Sequence, residues 1–313
     1  MQLFKGKLAI NFMGMRRVAL VLSSILVIAS ITSLVIRGLN FGIDFTGGTL
    51  VEVGYPQPVE LAGVRSVLSA GGYEQAQVQH FGASTDVLIR IPPVAGKESA
   101  QLSEDVKDTL RTHVADVDIR RVEFVGPQVG EELTEQGGLA MIYALIGILI
   151  YIVVRFQWRF APGAVIALVH DVLITMGFFS LLQLDFDLTV LAALLAVIGY
   201  SLNDTIVVFD RIRENFRKVR KSTPIDIMNL SINQTISRTL MTSITTLLVL
   251  FSLFIFGGEV IHAFAMALIV GVLIGTYSSI FVASTTALAL GVSKSDLMPP
   301  PRTEENGAGS TPP

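Results

Sequence analysis

The sequence predicts a polytopic α-helical membrane protein with six transmembrane helices and a small α+β ferredoxin-like domain on the periplasmic side. The first observation is composition: the 313 residues have a mean hydropathy of +0.62, and only 16% are charged. Soluble domains carry about 25% charged residues. The second is the presence of six separate apolar runs of spanning length. The third is a stretch between the first two runs, residues 37–138, with the pattern of a soluble domain.

Composition also excludes several classes of function. The chain has no cysteine, which rules out disulfides, thiolate metal sites and a cysteine nucleophile. A net charge of −3 gives no reason to expect a nucleic-acid partner. The sequence contains no phosphate-binding loop, Ser-His-Asp arrangement or metal-ligand cluster. We therefore expect no enzymatic activity, no cofactor and no metal.

The first apolar run, residues 18–36, predicts an uncleaved transmembrane helix. It follows a basic segment, residues 1–17, and is longer than the roughly 7–15 apolar residues of a signal peptide core. About 20 apolar residues suffice to cross a bilayer. A bundle of five further helices is predicted over 139–290. Their apolar runs are 139–154, 163–184, 188–209, 240–256 and 261–290.

Basic residues predict the topology, because lysine and arginine accumulate in cytoplasmic loops. Arg155, Arg159 and the loop 210–237 are basic, whereas segments 184–187 and 257–260 contain no lysine or arginine. Both termini are therefore predicted to be cytoplasmic and domain 37–138 periplasmic. Within the loop, Thr223 as N-cap and Pro224 at the first position predict a helix that continues into the fifth span. The tail, 291–313, is rich in Pro, Gly and polar residues, which is typical of disorder.

The pattern of the external segment predicts the order βαββαβ of a ferredoxin-like domain. The predicted strands are 49–55, 78–81, 87–91 and 119–125, and the predicted helices are 58–70 and 99–114. Such a fold does not by itself indicate a function.

The domain is entered through a turn-rich segment, residues 42–48. Its paired glycines permit positive φ and close backbone approach. We interpret Phe41, Phe45 and the glycines beside them as a hinge between the first span and the domain. The candidate functional residues of this segment are Gly42, Asp44, Phe45, Gly47 and Gly48.

An aspartate within the fourth apolar run is the principal candidate site. An acid in a membrane helix costs roughly 2.5–3.5 kcal/mol and persists where it faces a bundle interior or water and has a partner. Asp204 lies ~9 Å from the end of its span, and Arg238 lies at the matching end of the next one. The functional interpretation is a buried ion pair that changes protonation or partner. The alternatives are a static pair that sets helix register, or an Arg238 that snorkels to the surface.

A second pair, His170 and Asp171, lies near the middle of the third span. Neighbouring helix positions point about 100° apart, so we expect these side chains not to face each other and each to need its own partner. The functional interpretation is a proton relay. The alternative is a hydrogen bond from each to Ser, Thr or Asn on a neighbouring span.

Two further patterns concern helix packing. Gly271 and Gly275 form a GxxxG spacing in the sixth span, which allows close helix contact and favours packing inside this bundle over homodimerisation. Segment 231–246 is rich in hydroxyl side chains. It suits either a hydrated crevice beside Arg238 or ordinary hydrogen bonding between helices.

Three motifs together resemble the SecF proteins of the SecD/SecF protein-export family. They are FGIDFTGGT at 41–49, FVGPQVG at 124–130 and GYSLNDTIVVFDRIREN at 199–215, and the resemblance covers the chain up to the tail. It implies a half-transporter of the resistance-nodulation-division superfamily. The family's intramembrane acid and arginine fall on Asp204 and Arg238, and the acid of SecD would match the position of Asn203.

The resemblance further implies a role as accessory subunit of the Sec preprotein translocase in the inner membrane, driven by the proton motive force. The implied partners are SecD as a heterodimer, the SecYEG translocon, YajC, translocating preproteins and protons. Two other functions remain open at this point. One is a small-molecule or lipid exporter of the same superfamily, which the small external domain disfavours. The other is a purely structural assembly subunit.

Overall fold

The computed structural model describes residues 10–94, 99–112, 117–155, 159–219 and 221–292. A 3₁₀ turn, Met13–Met15, precedes the first helix, and a π-helical turn, Ser279–Ala283, precedes the last. The helices are α1 (Arg16–Arg37), α2 (Ile43–Thr46), α3 (Leu61–Ala70), α4 (Ser99–Arg111), α5 (Pro127–Arg155), α6 (Ala161–Leu182), α7 (Leu188–Lys218), α8 (Pro224–Phe256), α9 (Glu259–Ser278) and α10 (Ser284–Ala289). The strands are β1 (Asn40–Phe41), β2 (Gly48–Gly54), β3 (Gln77–Phe81), β4 (Ala83–Ile91), β5 (Asp118–Val125) and β6 (Asp185–Phe186).

Within the described residues, six helical segments are long and apolar enough to cross a membrane, as predicted. Two boundaries differ from the sequence expectation. Helix α5 begins at Pro127, so the expected linker before residue 139 is helical. The expected loop 210–237 is almost entirely helix, because α7 continues to Lys218 and α8 begins at Pro224. Hydropathy indicates only which part of a helix lies in lipid. The backbone hydrogen bonds of the helix can continue beyond that part into water, so the helix is longer than its apolar run.

The start of α8 agrees with the sequence prediction in detail. The Thr223 side chain accepts from the Asp226 N–H at 3.2 Å, and the Asp226 carboxylate accepts from the Thr223 N–H at 3.3 Å. This reciprocal pair is a capping box, with Pro224 in the first turn. The helix then continues to Phe256 without interruption.

The α+β domain between the first two spans is a four-stranded antiparallel sheet in the order β3-β4-β2-β5, with α3 and α4 packed on one face. Strand β4 begins at Ala83, so the predicted loop 82–86 is a tight turn at Gly82, which has φ +75°. The hydrophobic core of the domain is centred on Val51, Val87 and Ile89, which are fully buried. Residues 113 and 114, predicted to end the second helix, lie outside the described part of the chain.

The entry segment 42–48 is a short helix between glycines rather than a plain turn. Gly47 and Gly48 have φ of +68° and +123°. A Cβ on Gly47 would lie 2.9 Å from Pro127 Cα, and one on Gly48 would lie 2.5 Å from the Ile91 carbonyl oxygen. The predictions of positive φ and close backbone approach are confirmed.

The segment before α1 is held against the start of α8, which the sequence did not indicate. Asn233 forms two hydrogen bonds with the backbone of Ile10, of 3.0 and 2.8 Å. One turn earlier, Asn229 accepts from the Met13 N–H at 2.8 Å. Residues 1–9 and 293–313, which include most of the predicted disordered tail, lie outside the described residues.

Candidate functional site within the helical bundle

The close contact between α7 and α9 builds the site. A Cβ on Gly271 would lie 2.1 Å from Val197 Cγ2, and one on Gly275 would lie 3.0 Å from Ser201 Cβ. Each glycine of α9 therefore receives a side chain of α7 in the space that its own Cβ would fill. The GxxxG spacing serves packing inside this bundle, as predicted.

This contact places two hydroxyl groups on one buried acid. Asp171 of α6 is fully buried. Its Oδ2 accepts hydrogen bonds from Ser201 Oγ at 2.5 Å and from Ser278 Oγ at 2.7 Å. One carboxylate therefore joins α6, α7 and α9 at a single point.

His170 contacts the other oxygen of the same carboxylate. Its Nδ1 lies 2.9 Å from Asp171 Oδ1. The expectation that the two neighbouring side chains do not face each other was wrong. Their Cα–Cβ bonds point about 100° apart, but rotation about the side-chain bonds brings the imidazole to the carboxylate. The expected hydroxyl partners on neighbouring spans are present for Asp171.

The far side of His170 faces an aromatic residue. Its ring stacks on Tyr277 with centroids 6.2 Å apart and 28° between the planes. The Tyr277 hydroxyl donates to the Ala19 carbonyl at 2.6 Å and lies 3.0 Å from Ser23 Oγ. His170 Nε2 is buried and has no hydrogen-bond partner among the described residues. Polar side chains thus extend from α1 through α9 to Asp171.

Asp204 has a contrasting environment. Its residue surface is 2% exposed. Among the described residues its buried Oδ2 has no hydrogen-bond partner, and the hydroxyls of Thr205 and Thr239 are likewise buried without one. Asp204 follows Ser201, the hydrogen-bond partner of Asp171, by one turn of α7.

Arg238 lies on α8 with its side chain exposed. Its charge acts on the Asp204 carboxylate. Both residues belong to the described part of the chain, and no salt bridge of 4.0 Å or less joins them there. The structure therefore shows no ion pair between Arg238 and Asp204, and their pairing stays a prediction.

Asn203 is exposed, although the next residue of α7 is buried. It therefore lies on the outer surface of the bundle. In segment 231–246 most hydroxyls bond to their own helix, as in Ser243 to the Thr239 carbonyl at 2.9 Å. Between helices, Ser243 Oγ lies 2.7 Å from Thr276 Oγ1. These bonds correspond to the ordinary hydrogen bonding that was the alternative to a crevice.

The entry-motif residues lie far from these acids, at the end of the bundle where α7 begins. The Asp44 carboxylate accepts from the backbone N–H of Leu188, in the first turn of α7, at 2.9 Å. Phe45 packs against Phe41 and Phe186 with ring centroids 5.7 and 5.9 Å apart. The motif thus contacts the membrane helices directly.

Sequence reasoning missed Ser201 and Ser278 as partners of Asp171. A weak signal was present, because Ser201 precedes Asp204 by one turn and Ser278 follows Gly275 by one turn. Serines at such positions face the surface that the glycines keep close. The choice of Asp171 as their acceptor depends on α6, which no local pattern specifies.

Fold and site together define a polytopic membrane protein with a small α+β domain between its first and second spans and, in the part of the bundle that the structure describes, the buried acids Asp171 and Asp204. The chain belongs to the SecD/SecF family of protein-export membrane proteins. The family model "Protein export membrane protein SecD/SecF, C-terminal" matches residues 105–293, and "SecD/SecF GG Motif" matches residues 32–59.

Two curated relatives are similar over nearly their whole length. The protein translocase subunit SecF of Vibrio alginolyticus is 53% identical over 308 residues, 98% of each chain. That of Escherichia coli O157:H7 is 45% identical, covering 98% of this chain and 95% of the relative. Among solved structures, the crystal structure of SecDF, a translocon-associated membrane protein from Thermus thermophilus, matches this chain with 37% sequence identity and a TM-score of 0.83. That match covers 92% of this chain, which spans only 39% of the SecDF chain.

Proposed function

We propose that this chain is an accessory subunit of the Sec preprotein translocase which, paired with SecD, uses the proton motive force to promote late translocation and release of proteins. Its further proposed partners are the SecYEG translocon, YajC and the translocating preprotein, and it acts without enzymatic activity. The relatives that are named protein translocase subunit SecF, at 53% and 45% identity, support the translocation role.

The observation that carries the proton-coupled role is the environment of Asp204. An ionised carboxylate buried without a partner costs several kcal/mol, so it either takes up a proton or gains a cationic partner. Arg238 is near enough to act on this carboxylate but not bonded to it. Small movements of α8 relative to α7 would make or break the pair, which links proton uptake to helix position.

Asp171 and His170 have a different proposed role. With two serine donors and the imidazole, the Asp171 carboxylate is well satisfied where it stands. A satisfied network rigidifies the helices that it joins. We assign it to holding α6, α7 and α9 together while Asp204 titrates. Proton transfer through His170 is the alternative, and its partnerless buried Nε2 is the observation in favour.

The proposed location is the inner membrane, with both termini in the cytoplasm and the α+β domain in the periplasm. The charge distribution supports this topology. Arg155 at the end of α5 pairs with Asp210 of α7 at 3.3 Å, so the basic ends of these helices lie on the same side. The domain lies at the opposite end, where Asp44 meets α7.

We also propose that the external domain is ferredoxin-like. A ferredoxin-like domain has the element order βαββαβ, and in its sheet the third strand lies between the first and the second. The observed order β3-β4-β2-β5, with antiparallel neighbours, is compatible with that arrangement.

The decisive experiment is preprotein translocation into vesicles that contain the chain with SecD and SecYEG, with and without an imposed proton gradient. Asp204→Asn keeps the size of the side chain but removes its titration. We expect this variant to assemble normally and to lose the stimulation by the gradient. Arg238→Gln should lose it as well.

Asp210→Asn is the matched control, since it removes an acid of the same helix at the cytoplasmic end. It should keep the response to the gradient. If Asp204→Asn assembles and responds to the gradient like the wild type, the buried acid has only a structural role, and the chain is an assembly subunit.

A further inference from the structure

A polar junction connects the external domain to the outer end of the bundle through Asp185. This residue lies in β6, between α6 and α7. Its carboxylate accepts from Asn40 Nδ2 at 2.7 Å and from Gln79 Nε2 at 2.8 Å, and it pairs with Arg90 at 3.2 Å. Asn40 follows α1, whereas Gln79 and Arg90 belong to strands β3 and β4. One acid of the loop between α6 and α7 therefore contacts the segment that follows the first span and two strands of the domain.

The entry motif makes a second connection next to it. Asp44 accepts from the Leu188 N–H, one of the free donors at the start of α7. The N–H of Gly42 donates to the Phe186 carbonyl at 2.8 Å, and β1 pairs with β6 in parallel. The motif segment is therefore seated on the loop that leads into α7.

Helix α7 has no direct chain connection to the domain, since the domain joins the bundle through α1 and α5. It is nevertheless the helix that carries Ser201 and Asp204. From these contacts we infer that Asp44 and Asp185 are positioning residues of a latch that couples the outer end of α7 to the external domain, so that displacement of α7 is transmitted to the domain. This inference rests on the proposed function for its biological use, but the coupling itself can be measured without translocation.

The charges around the junction suit a contact that opens and closes. Three acids meet there, since Asp187 caps α7 through the Val190 N–H at 2.8 Å. With Asp44 and Asp185 they surround a cavity of about 130 Å³. The other charged groups that line it are Arg90, Arg121 and Glu123. Asp187 repels Asp44 and Asp185, and this repulsion opposes the hydrogen bonds that the latter two accept.

The test uses the natural absence of cysteine. Spin labels on Glu104→Cys in α4 and Phe256→Cys at the end of α8, both exposed, report the distance between domain and bundle in the complex with SecD. We expect the double variant Asp44→Ala with Asp185→Ala to broaden this distance distribution markedly. Asp86→Ala is the control, because it breaks an ion pair with Arg120 inside the domain and should leave the distribution unchanged. A distribution in the double variant identical to that of the wild type would overturn the latch.

A second arm tests transmission. Phe41 and Phe186 are register partners of β1 and β6, where neighbouring strands lie about 4.8 Å apart, within disulfide range. Oxidised Phe41→Cys with Phe186→Cys should lock the junction, abolish the gradient-dependent part of translocation and recover on reduction. Full gradient response in the locked chain would overturn the transmission. If wild-type complex lacks any gradient response, the proposed function fails while the spin-label result still decides the latch.

Discussion

Asp171 of α6 and Ser278 of α9 are joined by a hydrogen bond of 2.7 Å in the interior of the bundle. With the 2.5 Å bond from Ser201, it fixes three helices around one carboxylate. Asp204, one turn along α7, has a buried oxygen without any such partner in the described part of the chain. From these opposite environments we predict different tasks, with Asp171 holding the helices together and Asp204 changing charge.

Two substitutions of Asp171 distinguish the effect of side-chain size on stability from the effect of hydrogen bonding. Asp171→Asn keeps acceptors and donors for the serine hydroxyls and should be mild. Asp171→Leu removes the acceptor of both hydroxyls: Ser278 keeps the Gly275 carbonyl at 3.2 Å, whereas Ser201 is left buried and unpaired, at a cost of about 1–3 kcal/mol. Thermal unfolding of the purified protein in detergent measures the difference. A leucine variant as stable as the wild type would show that the serines find other partners.

The α7–α9 contact should be sensitive to single methyl groups. Gly271→Ala places a Cβ 2.1 Å from Val197, which must shift, so we expect a loss of about 1–3 kcal/mol. Gly275→Ala, 3.0 Å from Ser201, should cost less. Gly199→Ala of α7 is the control, because its Cβ meets nothing within 4 Å. The predicted order of melting temperatures is Gly199→Ala highest and Gly271→Ala lowest, and any reversal argues against close packing here.

Two glycines of the external domain distinguish backbone strain from steric clash. Gly48 and Gly72 both have positive φ, +123° and +89°. A Cβ on Gly72 meets nothing within 4 Å, so Gly72→Ala should cost only the roughly 1–2 kcal/mol of the left-handed conformation. Gly48→Ala adds a 2.5 Å contact with the Ile91 carbonyl and should lower stability further. Proteolysis rates of the domain in the intact chain would compare them, with equal rates as the contrary outcome.

The acid at the start of α7 should make the junction sensitive to pH. Burial raises the pKa of Asp187 above 3.8. Its hydrogen bonds lower this pKa, and the nearby charges of Asp44 and Asp185 raise it. A raised pKa in the folded state contributes stability that is fully present below the unfolded pKa and is lost as pH rises through the folded pKa. Asp187→Asn keeps a good N-cap acceptor without the charge. It should be more stable than the wild type at pH 7.

This advantage of Asp187→Asn should shrink as the pH falls through the raised pKa of the aspartate. Melting temperatures of both proteins between pH 7 and pH 4 test the trend. A difference that does not change with pH would assign the effect to capping geometry instead of charge.

The cap of α8 offers a simpler test. Thr223→Ala removes the acceptor for the Asp226 N–H and should cost about 1 kcal/mol. Thr223→Ser keeps the hydroxyl and should be close to the wild type. The melting temperature of each variant measures the effect, and equal losses in both would mean that the threonine methyl group matters instead.

Local signals predicted much of the fold. Apolar runs located the membrane helices, and Thr223 with Pro224 located the start of α8, because capping depends only on neighbouring residues. The paired glycines predicted positive φ at Gly47 and Gly48. Helix ends in water were less predictable: hydropathy has no signal there, and both α5 and α7 run beyond their apolar segments.

The candidate site was predicted in part. An aspartate inside an apolar segment is conspicuous, because placing an acid in the membrane costs free energy. Asp204 and Asp171 were predicted as candidates on that ground alone. Their hydrogen-bond partners were not predicted, because serine is common in membrane helices and has no comparable free-energy cost there. The contact of His170 with Asp171 was missed for another reason, since side-chain torsion angles cannot be read from helix geometry.

The sequence by itself determined which segments enter the membrane, where the α+β domain is inserted and which acids are buried, because burial of apolar and charged groups follows from composition along the chain. Only the tertiary structure decided that Asp171 accepts hydrogen bonds from Ser201 and Ser278, that Asp204 Oδ2 has no hydrogen-bond partner among the described residues, and that Asp44 bonds to the start of α7. These are contacts between residues far apart in the chain. They depend on how helices pack, and packing is set by many side chains at once.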